Sequence, residues 1–392
     1  MAGEIEALAE LARAGGRLGI DTEFVGERRY RALLCLAQVA VPDPAAPEGV
    51  QIDVIDTLDD SVDPSPLAGL LADPEIEVVV HAGRQDVALL RRLWHTEVTN
   101  LFDTQVAAGF VGLGTQTGYA RLLSSVLKIR VPDSASFTRW DKRPLTEEQL
   151  SYARDDVAHL LQLADGLQER LEERGRLEWA REECRFLEDM TDERDPERVF
   201  ERLPRAARLK PRQRAVAREV AAWRERTAAH ADRPVGTVLG DAPLVEIAKR
   251  APTTERALAE IRGVGDHIVR RYGREIFDAV ERGQAAPPIP VDAARAAPDQ
   301  GDEALIALAQ ALARSHAVAA GISYELVASR DDLTQVVVAA RHGAAEPDVR
   351  VLRGWRRGLV GDELLDLLAG RRALTVDGEG RLHVETRDGA SG

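Results

Sequence analysis

Two rhythms of apolar and polar positions run through the first 110 residues. Short apolar, β-branched runs over 18–24, 34–41, 50–55 and 77–80 predict strands, the first three joined by polar or proline-containing connections that suit hairpins. Apolar residues recurring every three to four positions predict helices over 85–94, 103–111, 117–127 and 146–174. Three consecutive strands and then a strand set among helices predict a mixed sheet, and hence an α/β domain over residues 1–200. Beyond it the pattern is helical, with turn signals at 231–240 and 263–265. The stretch 286–302 is rich in Pro and Ala and has no periodicity, as expected of a linker. It separates a helical domain over 205–285 from a second helical unit over 303–375 of similar length and helix count. Residues 385–392 read as a frayed end.

A length of 392 residues suits two or three such domains. The most apolar stretch, 304–322, is interrupted by Gln310, Arg314 and His316, so no membrane span is expected. Glu4, Glu6 and Glu10 occupy the N-terminus, where a secretory leader carries basic and then apolar residues. Cys35 and Cys184 are too few for a disulfide framework or a cysteine-rich zinc site. These features together predict a cytoplasmic protein with no membrane partner.

The net charge of −14 argues against a polyanionic partner until it is divided along the chain: −16 over 1–200, +6 over 201–283 and −4 over 284–392. Arg202, Arg205, Arg208, Lys210, Arg212, Arg214 and Arg218 fall in a stretch with no acid, a candidate nucleic-acid-binding segment that composition alone does not distinguish from a solvated helix face.

The chemistry begins at Asp21-Thr22-Glu23. On a strand with a side-chain period of two, both carboxylates face one side while Ile20, Thr22 and Phe24 face the other. Two acids held that close repel one another unless a cation lies between them, and oxygen ligands without a Cys or His cluster suit Mg²⁺ or Mn²⁺. The pair alone says little, because 66 acids in this length give on the order of ten acid-x-acid pairs by chance. Its company matters more. Asp86 follows the run Val78-Val79-Val80 at the opening of a helix, where a carboxylate also suits the helix dipole. Tyr152 and Asp156, four residues apart, project from one helix face, with Asp155 pointing elsewhere. Gly112-x-Gly114-x-x-x-Gly118 lacks the dinucleotide spacing and reads as a loop.

Taken in order, Asp21-x-Glu23, Asp86 and Tyr152-x-x-x-Asp156 resemble the motifs of the DEDD superfamily of 3′-5′ exonucleases, in the branch whose third motif is Tyr-x-x-x-Asp. The flanking sequence is closest to the ribonuclease D family, in Asp21-Thr-Glu-Phe24, Leu36-Ala-Gln38, His81-Ala-Gly83, Phe102-Asp-Thr104 and Trp140-Asp-Lys-Arg-Pro-Leu145. Residues 205–285 resemble the helicase-and-ribonuclease-D C-terminal (HRDC) domain through Trp223-Arg-Glu225, Asp232-Arg-Pro234 and Ile261-Arg-Gly-Val-Gly265. That family carries two such domains, and 303–375 matches the second in length and helix pattern only.

The resemblance implies a ribonuclease H-like α/β exonuclease domain with a mixed sheet, followed by two all-α helical domains. It implies two divalent metal ions, Mg²⁺ or Mn²⁺, with Asp21 bridging both, Glu23 and Asp156 completing one site and Asp86 holding the other largely through water. Tyr152 would position the attacking water, and His81 would be packed or phosphate-adjacent. The implied activity is 3′-5′ exoribonucleolytic release of 5′ mononucleotides, with RNA 3′ ends, tRNA precursors among them, as substrates. The residues alone leave open a 3′-5′ DNA exonuclease and a non-catalytic nucleic-acid-binding adaptor. One departure stands out: Ser136-Phe-Thr-Arg139 precedes Trp140, where the family has Ser-Asp with a Lys upstream. The loop 131–139 is expected to line the substrate path.

Overall fold

The computed structural model describes residues 2–131, 139–290 and 298–387; most of the loop 131–139 and residues 291–297 of the linker lie outside the described residues. Five strands, β1 (Arg17–Val25), β2 (Leu33–Pro42), β3 (Val50–Asp56), β4 (Glu77–Val80) and β5 (Leu101–Asp103), form one sheet in the order β3-β2-β1-β4-β5. β2 and β3 are antiparallel, with Gln38 opposite Val54 and Ala40 opposite Ile52. β4 runs parallel to β1, with Val79 beside Gly19, and β5 parallel to β4. The mixed sheet expected from the strand pattern is therefore present, with β5 as an addition. Helices cover both faces, which is why β2 is apolar almost throughout instead of alternating.

On one face α1 (Ala2–Gly15), α2 (Ser65–Leu71) and α3 (Arg84–Leu93) pack Leu8, Leu67, Val87 and Leu90 against Leu18, Ile20, Val39 and Val41. The other face carries α4 (Thr104–Phe110), α5 (Tyr119–Val126), α6 (Glu147–Ala158), α7 (Leu160–Glu172) and α8 (Leu177–Glu188). There Val157, Leu160, Leu161 and Leu163 join Ala40, Val79 and Phe102 in a core. The single helix predicted over 146–174 is two. α6 opens with a capping box, Gln149 N–H to the Thr146 hydroxyl at 3.1 Å and Thr146 N–H to the Gln149 side chain at 3.0 Å. It stops at His159, whose N–H goes to the Tyr119 hydroxyl at 3.2 Å and so leaves the helical ladder.

Compactness divides the chain differently from its sequence pattern. One unit comprises 1–25, 34–191 and 298–392; the other comprises 26–33 and 192–297. The C-terminal helices α14 (Gln300–Ala320), α15 (Tyr324–Val327), α16 (Arg330–Arg341), α17 (Gly354–Arg356) and α18 (Asp362–Leu368) thus belong with the sheet, although 303–375 was expected to stand as a domain of its own. The physical reason is a shared core. Trp355 stacks on Trp179 at 5.0 Å and meets Phe110 edge-on at 5.1 Å. Arg356, 2% exposed, donates to the Leu326 carbonyl at 2.6 Å and to Glu183 of α8. The end of the chain, expected to fray from 385, instead pairs Leu382–Thr386 with Arg372–Val376 in a hairpin, and 388–392 lie outside the described residues.

The second unit packs α9 (Pro211–His230), α10 (Val235–Val238), α11 (Asp241–Arg250), α12 (Glu255–Ala259) and α13 (Asp266–Ala285) around Val220, Trp223, Leu244, Ile247, Ile268 and Ile276. α9 and α13 cross so closely that a Cβ on Gly283 would lie 2.4 Å from the Cα of Val216, so only glycine fits there. The segment 26–33, which leaves β1 and returns as β2, belongs to this unit. Tyr30 donates its hydroxyl to the buried Glu225 at 2.9 Å and its N–H to Asp232 at 3.1 Å, and Arg29 pairs with Asp232 at 3.1 Å.

Candidate active site

β1 supplies the first two acids. Gly19 packs against Leu160 and Ala40 on the face covered by α6 and α7, and the period of two puts Asp21 and Glu23 on that same face. Thr22, buried between them and turned the other way, donates its hydroxyl to Asp86 in the first turn of α3. The turn that presents Asp86 is itself held. Asp103 accepts from the N–H groups of Ala82 at 3.1 Å and Gly83 at 2.9 Å, and a Cβ on Gly83 would strike Val80 at 2.5 Å. α6 carries Tyr152 and Asp156 one turn apart, with Trp140 buried against the Tyr152 ring at 5.9 Å; Asp155 is exposed.

These groups lie within electrostatic reach of one another. Burial pushes Asp21 well above the usual carboxylate range, and the charges of Asp86, Asp156 and Glu23 push it further. Glu23 is pushed up to about 8 by burial and then by Asp156 and Asp86. Asp156 is raised to about 7 by burial, against the pull of the Tyr152 hydroxyl that donates to it. Asp86 is raised to about 6 by burial, against the Thr22 hydroxyl. Tyr152 rises through burial and then the neighbouring acids Asp156, Glu23 and Asp21, so its phenol keeps its proton at neutral pH.

The donor set is oxygen only, four carboxylates and a phenol, which is the chemistry that hard divalent cations prefer. Among the described residues no three His, Cys, Asp or Glu side chains already converge as a metal-holding group.

Sequence reasoning missed Thr22 and Tyr119. Tyr119 lies within the electrostatic reach of Asp156 and Asp21, caps the end of α6 through His159 and packs its ring 5.5 Å from His81. His81 is a packed residue: its Nδ1 lies 2.9 Å from the Thr104 hydroxyl, and burial lowers its pKa against the pull of Asp103. The basic segment divides in two. Arg202, Arg205, Arg208 and Lys210 are exposed. Arg212 is also exposed, yet donates to the carbonyls of Gln284 at 3.1 Å and Ala286 at 2.9 Å. Arg214 lies over the Phe200 ring at 5.3 Å, and Arg218 pairs with Glu219 at 3.0 Å. Gly112 and Gly114 both adopt positive φ in a turn.

The family described as 3′-5′ exonuclease matches residues 2–172, and the HRDC domain family matches residues 213–280. The chain is 38% identical over 384 residues to ribonuclease D of Gluconacetobacter diazotrophicus, covering 96% of this chain and 93% of that one. It is 36% identical to ribonuclease D of Nitrobacter hamburgensis, covering 95% and 97%. The crystal structure of Escherichia coli RNase D, described as an exoribonuclease involved in structured RNA processing, matches with a TM-score of 0.83 at 28% identity over 94% of this chain and 97% of that chain. No helix among the described residues is long and apolar enough to cross a membrane.

Proposed function

The chain belongs to the ribonuclease D family of 3′-5′ exonucleases and is an exoribonuclease; from that premise we propose that it removes 5′ mononucleotides from the 3′ ends of structured RNA, tRNA precursors among them, at the acidic face of β1. The observation that carries this reading is the crowding of Asp21, Glu23, Asp86 and Asp156, each holding its proton more tightly than an ordinary carboxyl. A folded chain keeps such repulsion where it serves a site. Those four residues would hold two divalent ions, which when bound lower the pKa of the attacking water and stabilise charge on the phosphorus and the leaving oxygen. Tyr152 contributes a protonated hydroxyl that orients the water. It does not act as the base.

The exposed Arg202, Arg205, Arg208 and Lys210 hold the RNA backbone on this reading, which resolves the opposition between an acidic protein and a polyanionic substrate. We read 303–375 as a second HRDC-like unit. Its order of a 21-residue helix, a four-residue helix and a 12-residue helix parallels the 20-, four- and 10-residue series of α9, α10 and α11. Cys35 and Cys184 are both buried thiols, which suits the reducing cytoplasm.

The test is a digest of 3′-labelled and 5′-labelled RNA, and of DNA of the same sequence, with Mg²⁺, Mn²⁺ or EDTA. Mononucleotides leaving first from the 3′ label, faster from RNA and only with metal, are expected. Cuts within a circular RNA, or faster loss of the DNA, would overturn it.

A further inference from the structure

Gln38, in the middle of β2, is fully buried, and neither its Oε1 nor its Nε2 has a hydrogen-bond partner. An unmet carboxamide in a core is costly, and a leucine would fill the same space without that cost. What its side chain faces follows from the strands. A Cβ built on Gly19 of β1 would lie 3.6 Å from the Cβ of Ala40 on β2, so those two positions are neighbours on one face. β1 and β2 adjoin in the sheet and are joined by the short stretch 26–32, a connection that returns the chain antiparallel. Two residues along each strand, Asp21 therefore comes opposite Gln38, on the face that α6 covers. On its other side Gln38 has Val54 of β3, which offers its amide nothing.

We infer that Gln38 is a positioning residue for the catalytic acids: its Nε2 donates to the Asp21 carboxylate and holds it turned toward the site when a divalent ion binds. The inference rests on the proposed role of Asp21. The donor needs only a side-chain rotation to reach its cross-strand neighbour. The carboxamide suits the task because it remains neutral at every pH at which the acids ionise.

The experiment compares the full chain with its Gln38→Leu, Gln38→Asn and Asp21→Ala variants. In EDTA, Gln38→Leu should melt no lower than the native chain, since an unmet amide gives way to an apolar group. Its Mn²⁺ affinity, measured by calorimetry, should fall on the order of tenfold, the worth of one hydrogen bond to a charged group. Its kcat should fall by a similar factor with KM for a short RNA unchanged, and Gln38→Asn should lie between. Native Mn²⁺ affinity and kcat in Gln38→Leu would overturn the inference. So would a loss of activity that only tracks a lower melting temperature, with native Mn²⁺ affinity in the folded fraction. Asp21→Ala tells the two readings apart: an active Asp21→Ala sinks the site itself, whereas a dead Asp21→Ala beside a native-like Gln38→Leu sinks Gln38 alone.

Discussion

The hydroxyl of Thr22 donates to the carboxylate of Asp86, so the residue between the two acids of β1 anchors the acid of α3. That bond opposes the burial that raises Asp86 to about 6. In Thr22→Val the hydroxyl's share of that opposition is gone and only backbone N–H groups remain, so Asp86 should ionise at higher pH and the acid limb of the activity profile should move upward. Below about pH 5.5 the variant should be roughly tenfold slower than the native enzyme, approaching it near pH 8.5. A pH–rate profile checks this; an unshifted limb would make Thr22 a packing residue.

Tyr152→Phe keeps the ring against Trp140 and deletes the hydroxyl that donates to Asp156. Loss of a positioning group costs about 10² to 10⁴ in rate. Single-turnover hydrolysis should slow within that range while Mn²⁺ and RNA bind nearly as before. A native rate in this variant would leave the attacking water to be oriented by another group.

The crowded acids make stability depend on pH in a defined direction. Glu23, Asp156 and Asp86 hold protons up to about 8, 7 and 6 in the folded chain, each above the usual range near 4 in the unfolded one. Between about pH 4 and 8 the folded state therefore binds more protons, and stability falls as pH rises. Melting in EDTA should drop across that window, Mg²⁺ should restore it at pH 8, and Asp21→Ala should flatten the slope. A melting temperature in EDTA that rises from pH 5 to 8 would contradict the crowding.

Because the sheet shares its core with the C-terminal helices, a chain ending near residue 200 should not yield a soluble nuclease. It would lose Trp355, Arg356 and Leu333 and uncover Trp179 and Phe110. Within the full chain, Trp355→Ala should cost about 3–5 kcal/mol, read from a denaturant midpoint. A cost below about 1 kcal/mol would mean that the helices are dispensable.

Changing Arg202, Arg205, Arg208 and Lys210 together to Gln should weaken RNA binding with little change in melting temperature, since all four are exposed. If each touches a phosphate, the slope of log affinity against log salt should flatten by about 0.7 per residue for single strands. Filter binding at several salt concentrations measures it. An unchanged slope would return the segment to a solvated surface.

What the sequence revealed and what it hid differ by range. Asp21 and Glu23 were legible because strand period fixes their common face, and Tyr152 with Asp156 because helix period does the same. α1 carried a signal in the spacing of Ile5, Leu8, Ala9 and Ala12, all buried against the sheet. The break at His159 carried none, since no glycine or proline marks it and the cause is a hydroxyl forty residues upstream. β5 is three residues long, too short for a period to register. The bonds of Thr22 to Asp86 and Tyr119 to His159, and the stacking of Trp355 on Trp179, join residues that only the folded chain brings together.

The eight residues 26–33 carry a consequence for inheritance. They answer to Glu225 and Asp232, yet the whole of 34–191 lies between them and those partners. A recombination event that imported 192–297 from a relative would bring new neighbours for Arg29 and Tyr30 while leaving the old loop behind. The two stretches should therefore drift together through descent, and a chimaera meant to exchange RNA preference must be cut four times, at 25/26, 33/34, 191/192 and 297/298, before it exchanges one thing.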